Sequence, residues 1–353
     1  MEFDTFKANI YYMSSIRFGF VLFYLLIIDS TNAQQVFSNE ISSTKMAEIQ
    51  LKRPDYLKKG DTVALVAPSG VILDNQSILK GISILKSWGL KVVTGPNIYG
   101  KSGHFASSDS ERLKDLQWAL DDPSIDAIWA VRGGYGTARI IDAVDFTKFS
   151  ANPKWVIGYS DITVLHNAIN NLGIESIHGI MPINMLDDEE DVAKSMNSLQ
   201  EVLFGKKLVY DIPGNPLNRE GRASGILVGG NLTLLQTMLG TATDLDVSGK
   251  ILFFEEIGEY DYHLDRMLRQ MDRNGYFKNC KGIVVGNISK ARINSTSFGL
   301  TTEELILDVF KNYDFPILFN FPAGHNSLNL TLILGRMVTI KSSHKESKIR
   351  FKN

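Results

Sequence analysis

Between residues 62 and 173 short apolar runs alternate with amphipathic stretches, and this alternation restricts the fold more than any other feature of the chain. Residues 62–67 are strand-like and end in the turn Pro68-Ser69-Gly70. A helical pattern follows through Ile78, Leu79, Ile82, Leu85 and Trp88 to Gly89. Residues 91–93 read as a strand, 108–120 as a helix and 126–131 as a further strand. Arg132-Gly133-Gly134-Tyr135-Gly136 then leads into a helix expected at 137–143. Residues 155–157 turn at Gly158 and Ser160 into a stretch with apolar Ile162, Leu165, Ala168, Ile169 and Leu172, closed by Gly173 as a C-cap closes a helix. Such alternation predicts a parallel sheet with helices on both faces. Working residues gather at the carboxyl ends of its strands, where 68–70, 132–136 and 158–161 all fall.

From about residue 206 the texture changes. Residues 209–216 look like a linker or an edge element, and 225–231 precede a helix running to Gly240. A strand at 250–256 ends in Glu255 and Glu256. An amphipathic helix at 262–273, a strand at 283–285, a helix at 302–311 and a strand at 316–319 follow. Phe321-Pro322-Ala323-Gly324-His325 comes next, and 332–340 finishes as a strand. This half is expected to be a second α/β domain with a mixed sheet.

The N-terminus differs in kind. Arg17 precedes the apolar run 18–28, and Ala33 lies beyond it, the layout of a secretory signal, with Met13 an alternative start. The run is short for a bilayer span and no cysteine follows it, so no stable membrane anchor is expected. A periplasmic or secreted protein is expected; a buried N-terminal helix on a cytoplasmic protein is the alternative. Residues 34–55 are polar and read as a linker. The 353 residues carry a net charge of -2 with no basic cluster, which excludes nucleic acid and anionic membrane as natural partners. Cys280 is the single cysteine, and no His/Asp/Glu grouping has metal-ligand spacing, so neither a metal nor another cofactor is expected.

Ser160, at a strand-to-helix turn, projects its hydroxyl toward the amides and positive dipole of a helix start. Gly158-Tyr159-Ser160-Asp161-Ile162 resembles a nucleophile elbow without its second glycine, although serine at such a position is most often a cap. Serine chemistry needs a base, an acid to orient it and donors for the oxyanion. Of six histidines, His166 is expected to point away from the Ser160 helix start, His263 to sit at a helix start and His344 in a charged strand. His104 has no distinguishing pattern. His325 and His178 are equally open as bases. Glu255 ends an apolar strand, and a carboxylate there is costly to bury unpaired; the alternative is that the strand emerges into solvent. Alternation places Glu255 and Glu256 on opposite faces, so one at most faces a given base. The amides of Gly133 and Gly134 suit a phosphate or an oxyanion, and Gly229-Gly230-Asn231 is a weaker version, with a helix cap as its simpler role.

Val66-Ala67-Pro68-Ser69-Gly70, Ala130-Val131-Arg132-Gly133-Gly134-Tyr135-Gly136, Gly158-Tyr159-Ser160-Asp161, Gly229-Gly230-Asn231-Leu232, Phe254-Glu255-Glu256-Ile257-Gly258-Glu259, Leu264-Asp265-Arg266-Met267-Leu268 and Gly324-His325 form an ordered set over about residues 60 to 340. Together they resemble the LD-carboxypeptidase family of serine peptidases. The resemblance implies a Ser–Glu–His set at Ser160, Glu255 and His325, favouring His325 over His178 and Glu255 over Glu256. Oxyanion and substrate contacts would fall at Asp161, Gly133, Gly134, Arg132 and Asn231. Glu256 and the segment Glu259-Tyr260-Asp261-Tyr262 depart from the usual family residues, and a secretory leader departs from its mostly cytoplasmic members.

The resulting expectation is an α/β protein: a signal peptide at 1–33, a linker at 34–55, a flavodoxin-like three-layer domain with a parallel sheet at 56–205, and a smaller α/β domain with a mixed sheet at 206–353. The expected activity is removal of the C-terminal D-alanine from a murein tetrapeptide, with murein peptide as substrate and a homodimer as the family's usual assembly. A microcin-immunity-type peptidase and a non-catalytic two-lobed binding protein are the rival readings.

Overall fold

The computed structural model describes residues 51–352; the leader expected at 1–33 and most of the expected linker lie outside them. The end of that linker is tied into the fold. Lys52 pairs in parallel with Ile174, its N–H donating to the Gly173 carbonyl at 2.7 Å, and Pro54 is buried.

The first sheet contains β1 (Thr62–Val66), β2 (Lys91–Thr94), β3 (Ala127–Ala130), β4 (Trp155–Gly158) and β5 (Ser176–His178), parallel in the order β2-β1-β3-β4-β5. This is the flavodoxin-like order. Apart from Thr62, β1, β3 and β4 are buried throughout, as strands covered on both faces must be. Their side chains alternate between two cores. Val63, Leu65, Trp129 and Ile157 pack with Ile78 and Leu85 of α1 (Gln76–Ser87), whereas Ala64, Val66, Ile128 and Val156 pack with Leu116 and Leu120 of α2 (Asp109–Asp121). Phe149 of α3 (Thr147–Ala151) and Leu165 of α4 (Thr163–Asn171) join the second core, and Met196 and Leu199 of α5 (Glu189–Leu203) join the first. Three layers result. The helix expected at 137–143 is instead two short 3-10 turns, Thr137–Arg139 and Ile141–Ala143.

The second sheet is mixed. It holds β6 (Val209–Pro213), β7 (Gly221–Asn231), β8 (Ile251–Ile257), β9 (Gly282–Ser289) and β10 (Ile317–Leu318). Residues 332–340, expected as one strand, divide into β11 (Leu332–Leu334) and β12 (Met337–Ser342), and β13 (Glu346–Phe351) completes the set. The order is β10-β9-β8-β7-β12-β13-β6, parallel from β10 to β7 and antiparallel beyond. On one face α6 (Leu232–Thr237), α7 (Asp261–Arg273) and α8 (Thr302–Val309) cover Val228, Leu252, Phe254 and Ile283. On the other, Leu227, Ile251, Phe253 and Val284 join the core of Val63, Leu65 and Trp129, so both sheets share one apolar interior.

β11 changes sheets: it pairs antiparallel with β5, extending the first sheet, before β12 joins the second. Gly335 and Arg336 make the switch, Gly335 at φ 85° and Arg336 through a buried two-point ion pair to Glu175. Sequence spacing alone puts all of 206–353 in the second lobe; β11 is the exception. Among the described residues no helix is long and apolar enough to cross a membrane.

Candidate active site

The loops after β1, β3 and β4 meet at the carboxyl edge of the first sheet, and Asp161 binds them together. Its Oδ2 accepts the Ser69 hydroxyl at 2.6 Å and the Thr137 N–H at 2.8 Å, and the Ser69 and Thr137 hydroxyls are themselves 2.8 Å apart. The Gly70 N–H donates to the Gly133 carbonyl at 3.1 Å. The Asp161 side chain is fully buried, so it cannot face substrate. Its backbone remains beside the loop after β3.

Ser160 follows β4 with φ 62°, left-handed for a non-glycine residue. Such backbone costs about 1–3 kcal/mol and persists where the surroundings overdetermine it. The strain lifts the hydroxyl clear of the sheet edge, as in a nucleophile elbow. A β-carbon at Gly133 would come within 2.9 Å of Ser160 Cβ, 3.1 Å of its Oγ and 3.3 Å of the Asp161 nitrogen. Glycine at 133 therefore lets the backbone of the loop come up against the hydroxyl. Gly133→Ala is expected to push the Ser160 hydroxyl out of place and lower kcat about 100-fold or more, the usual cost of a misplaced reacting group. Steady-state kinetics on a variant with an unchanged melting temperature checks this.

His325 Nε2 lies 3.0 Å from Ser160 Oγ, and Nδ1 lies 2.7 Å from Glu255 Oε2. A carboxylate can only accept, so Nδ1 carries the proton and Nε2 is left to accept from the serine. Glu255 ends the apolar part of β8 and is 0 % exposed; Glu256 is 2 % exposed. The strand does not emerge into solvent there. The two carboxylates take different partners, Glu255 reaching His325 and Glu256 the Thr233 N–H at 2.7 Å and hydroxyl at 2.8 Å, although both also meet the Asn231 amide. Gly324, at φ 133°, permits the close approach, since a β-carbon there would lie 2.9 Å from Glu255 Oε2. Burial pulls the His325 pKa down, but the Glu255 carboxylate, by charge and by hydrogen bond, outweighs it and leaves the pKa above the ordinary 6.5. Burial likewise raises the Glu256 carboxyl, with Glu255 adding to it and the Ile257 N–H opposing.

The other histidines separate cleanly. His178 is fully buried at the end of β5, its ring 5.7 Å from that of Tyr159 and 4.9 Å from that of Phe253. Burial holds its pKa well below 6.5, and its nitrogens have no hydrogen-bond partner among the described residues. His166 does not point away from its helix start. It reaches back so that Nε2–H donates to the Gly158 carbonyl at 2.9 Å, and burial pushes its pKa down to about 4. Side chains on a helix lean toward its N-terminus, which the expectation neglected. His263 on α7 pairs with Glu259 just before that helix, His104 packs against Phe105 and Tyr135, and His344 lies in the turn before β13 rather than in a strand.

Two residues expected at substrate contacts make internal hydrogen bonds in the structure. Asn231 is a brace: its Nδ2–H donates to Glu255 Oε1 at 3.3 Å and Glu256 Oε1 at 3.1 Å, while its Oδ1 caps α6 through the Leu234 N–H at 3.3 Å. At 3 % exposure it is engaged internally. The Arg132 guanidinium donates to the Val71 carbonyl, holding the neighbouring loop. Sequence reasoning missed three supports: Ser69 and Thr137 on Asp161; Thr163, whose Oγ1 accepts the Asn231 N–H at 2.9 Å; and Tyr159, edge-on to His325 at 4.9 Å. Ser69 and Tyr159 stand inside the quoted motifs; the threonines carry no local signal.

The LD-carboxypeptidase N-terminal domain matches residues 63–179 and the LD-carboxypeptidase C-terminal domain residues 224–340. The chain is 34% identical over 302 residues to the probable murein peptide carboxypeptidase of Bacillus subtilis (strain 168), covering 84% of this chain and 94% of that protein. The crystal structure of muramoyltetrapeptide carboxypeptidase from Oxalobacter formigenes superposes with a TM-score of 0.75 at 29% identity, covering 83% of this chain and 99% of that one. The microcin immunity protein MccF in complex with glutamyl sulfamoyl guanosine has a TM-score of 0.76 at 21% identity, covering 85% and 98%, a likeness of fold. With both domains matched in order and most of its length aligned to such a relative, this chain belongs to the LD-carboxypeptidase family of peptidases.

Proposed function

We propose that this protein is a serine LD-carboxypeptidase that removes the C-terminal D-alanine of murein tetrapeptides, with Ser160, His325 and Glu255 as its catalytic residues. The continuous hydrogen-bonded chain from the Ser160 hydroxyl through the imidazole to the buried Glu255 carboxylate carries this reading. Ser160 Oγ attacks the carbonyl carbon of the penultimate residue while His325 Nε2 takes the hydroxyl proton. The amides of Asp161 and of Gly133 or Gly134 stabilise the oxyanion. Collapse breaks the C–N bond, and Nε2–H protonates the departing amine of D-alanine. Water, deprotonated by the same nitrogen, then hydrolyses the acyl-serine ester.

The names of the Bacillus and Oxalobacter relatives support the murein substrate, and their identities of 34% and 29% favour it over the microcin-immunity reading. The leader-like residues 17–33 favour an extracytoplasmic site of action. All three reacting groups belong to one chain, so a homodimer, the assembly the family resemblance implies, adds none of them. Incubation with tetrapeptide and pentapeptide stems tests the proposal. Free D-alanine from the tetrapeptide, with the pentapeptide intact, is expected by mass spectrometry. Cleavage of the pentapeptide's D,D bond, or no release from either stem, overturns it.

A further inference from the structure

A carboxypeptidase must tell a chain end from an internal bond, and the difference is one carboxylate. The cavity at His325 encloses about 490 Å³ and is lined in part by Asp187, Asp191, Asn287 and Lys290. Two of these side chains are acidic, and Glu255 lies behind the imidazole. That set repels a carboxylate unless a cation offsets it. Among the described residues, Lys290 is the one lysine or arginine lining the cavity. It follows β9 directly, beside β8, which carries Glu255, and Ser289 pairs with Ile257 across the two strands.

Three further observations bear on Lys290. Its φ of 49° is left-handed for a non-glycine residue, and the described residues hold only two others, one of them Ser160. Strained backbone concentrates at sites where a side chain must be aimed. Lys290 is exposed and joins no ion pair among the described residues. Its charge also reaches His325, acting to lower the imidazole's pKa, so the ammonium stands within electrostatic range of the base. Arg132, the other cation near the nucleophile loop, is held by the Val71 carbonyl.

We propose that the Lys290 ammonium receives the α-carboxylate of the substrate's C-terminal residue, and that this contact restricts the enzyme to free peptide ends. The proposal rests on the carboxypeptidase reading above and names its carboxylate subsite. Bound there, the carboxylate lies in a cavity that His325 also lines.

The test compares a tetrapeptide ending in D-alanine with the same peptide ending in D-alaninamide. Wild type is expected to favour the acid. In Lys290→Met, kcat/KM for the acid should fall about 10- to 100-fold, the usual worth of one charge-assisted contact, chiefly through KM, while the amide loses far less on its alkaline plateau. Lys290→Arg should keep most of the preference. The acid limb for the amide substrate should move to higher pH in Lys290→Met, because the Glu255 and Glu256 charges then act on the imidazole, with Asp187 and Asp191 lining the same cavity, and no Lys290 charge opposes them. An unchanged acid-to-amide ratio in Lys290→Met overturns the inference. Turnover by Ser160→Ala would instead defeat the serine mechanism, so the two failures are distinguishable.

Discussion

Ser160→Ala is expected to lower kcat/KM for D-alanine release about ten-thousand- to a million-fold, with KM little changed. The hydroxyl is 3.0 Å from His325 Nε2, and among the described residues no other side chain hydrogen-bonds to that nitrogen. Without Oγ there is nothing to acylate, and hydrolysis must proceed by direct attack of water at whatever rate the oxyanion donors support. His325→Ala should fall in the same range, and the double variant should be no worse than either single, because the two groups act as one unit. Additive losses would mean that the groups work separately. Fold loss is an inadequate explanation of the expected defect: alanine keeps the left-handed strain, whereas Ser160→Gly releases it. The glycine variant should therefore be about 1 kcal/mol more stable than the alanine one while equally inactive. Thermal melts beside single-turnover assays read both effects.

What the sequence disclosed and what it hid divide along physical lines. The strands of the first sheet were legible because strands covered on both faces must be apolar almost without interruption, as β1, β3 and β4 are. The elbow was legible because a serine between such a strand and a helix has few places to point. The switch of β11 between sheets was not. Residues 332–340 form one run of strand character, and the reason they part at Gly335 and Arg336 is Glu175, a partner 161 residues away. The choice between His178 and His325 was likewise invisible locally. Each follows an apolar segment, and packing decides: His178 is enclosed by Tyr159 and Phe253, while His325 lies between a hydroxyl and a carboxylate.

Asn231 shows the same limit from the other side. Its position at a helix start was readable as a cap, which it is. Its second task, donating to two buried carboxylates, depends on the register of β7 against β8, where Asn231 lies opposite Glu255. No pattern in either segment specifies that register. The resemblance to a family singled out Glu255 without that register, and it put Asn231 among the substrate contacts, whereas the hydrogen bonds the structure gives Asn231 are internal.

Glu255→Gln separates orientation from charge. Asn231 cannot reverse its amide without giving up the α6 cap and the Glu256 contact, so its N–H continues to face Oε1 of residue 255. A glutamine must answer with its carbonyl and turn its NH₂ toward His325. Nδ1 then accepts and Nε2 carries the proton, the wrong tautomer for receiving the serine's hydrogen. The plateau of kcat/KM should drop about 10,000-fold. The pH dependence should shift as well. In wild type the raised His325 pKa means that activity is lost as pH falls through a value above 6.5. With the carboxylate neutralised, burial is left to dominate and the residual activity should persist to lower pH. Stability has the opposite sign. The imidazolium–Glu255 pair stabilises the wild-type fold below the unfolded histidine's pKa, and this contribution disappears as pH rises through the raised folded value. The melting-temperature gap between wild type and Glu255→Gln should accordingly be wider at pH 5.5 than at pH 8.5. A variant with an unshifted acid limb would show that Glu255 orients the base without tuning its charge.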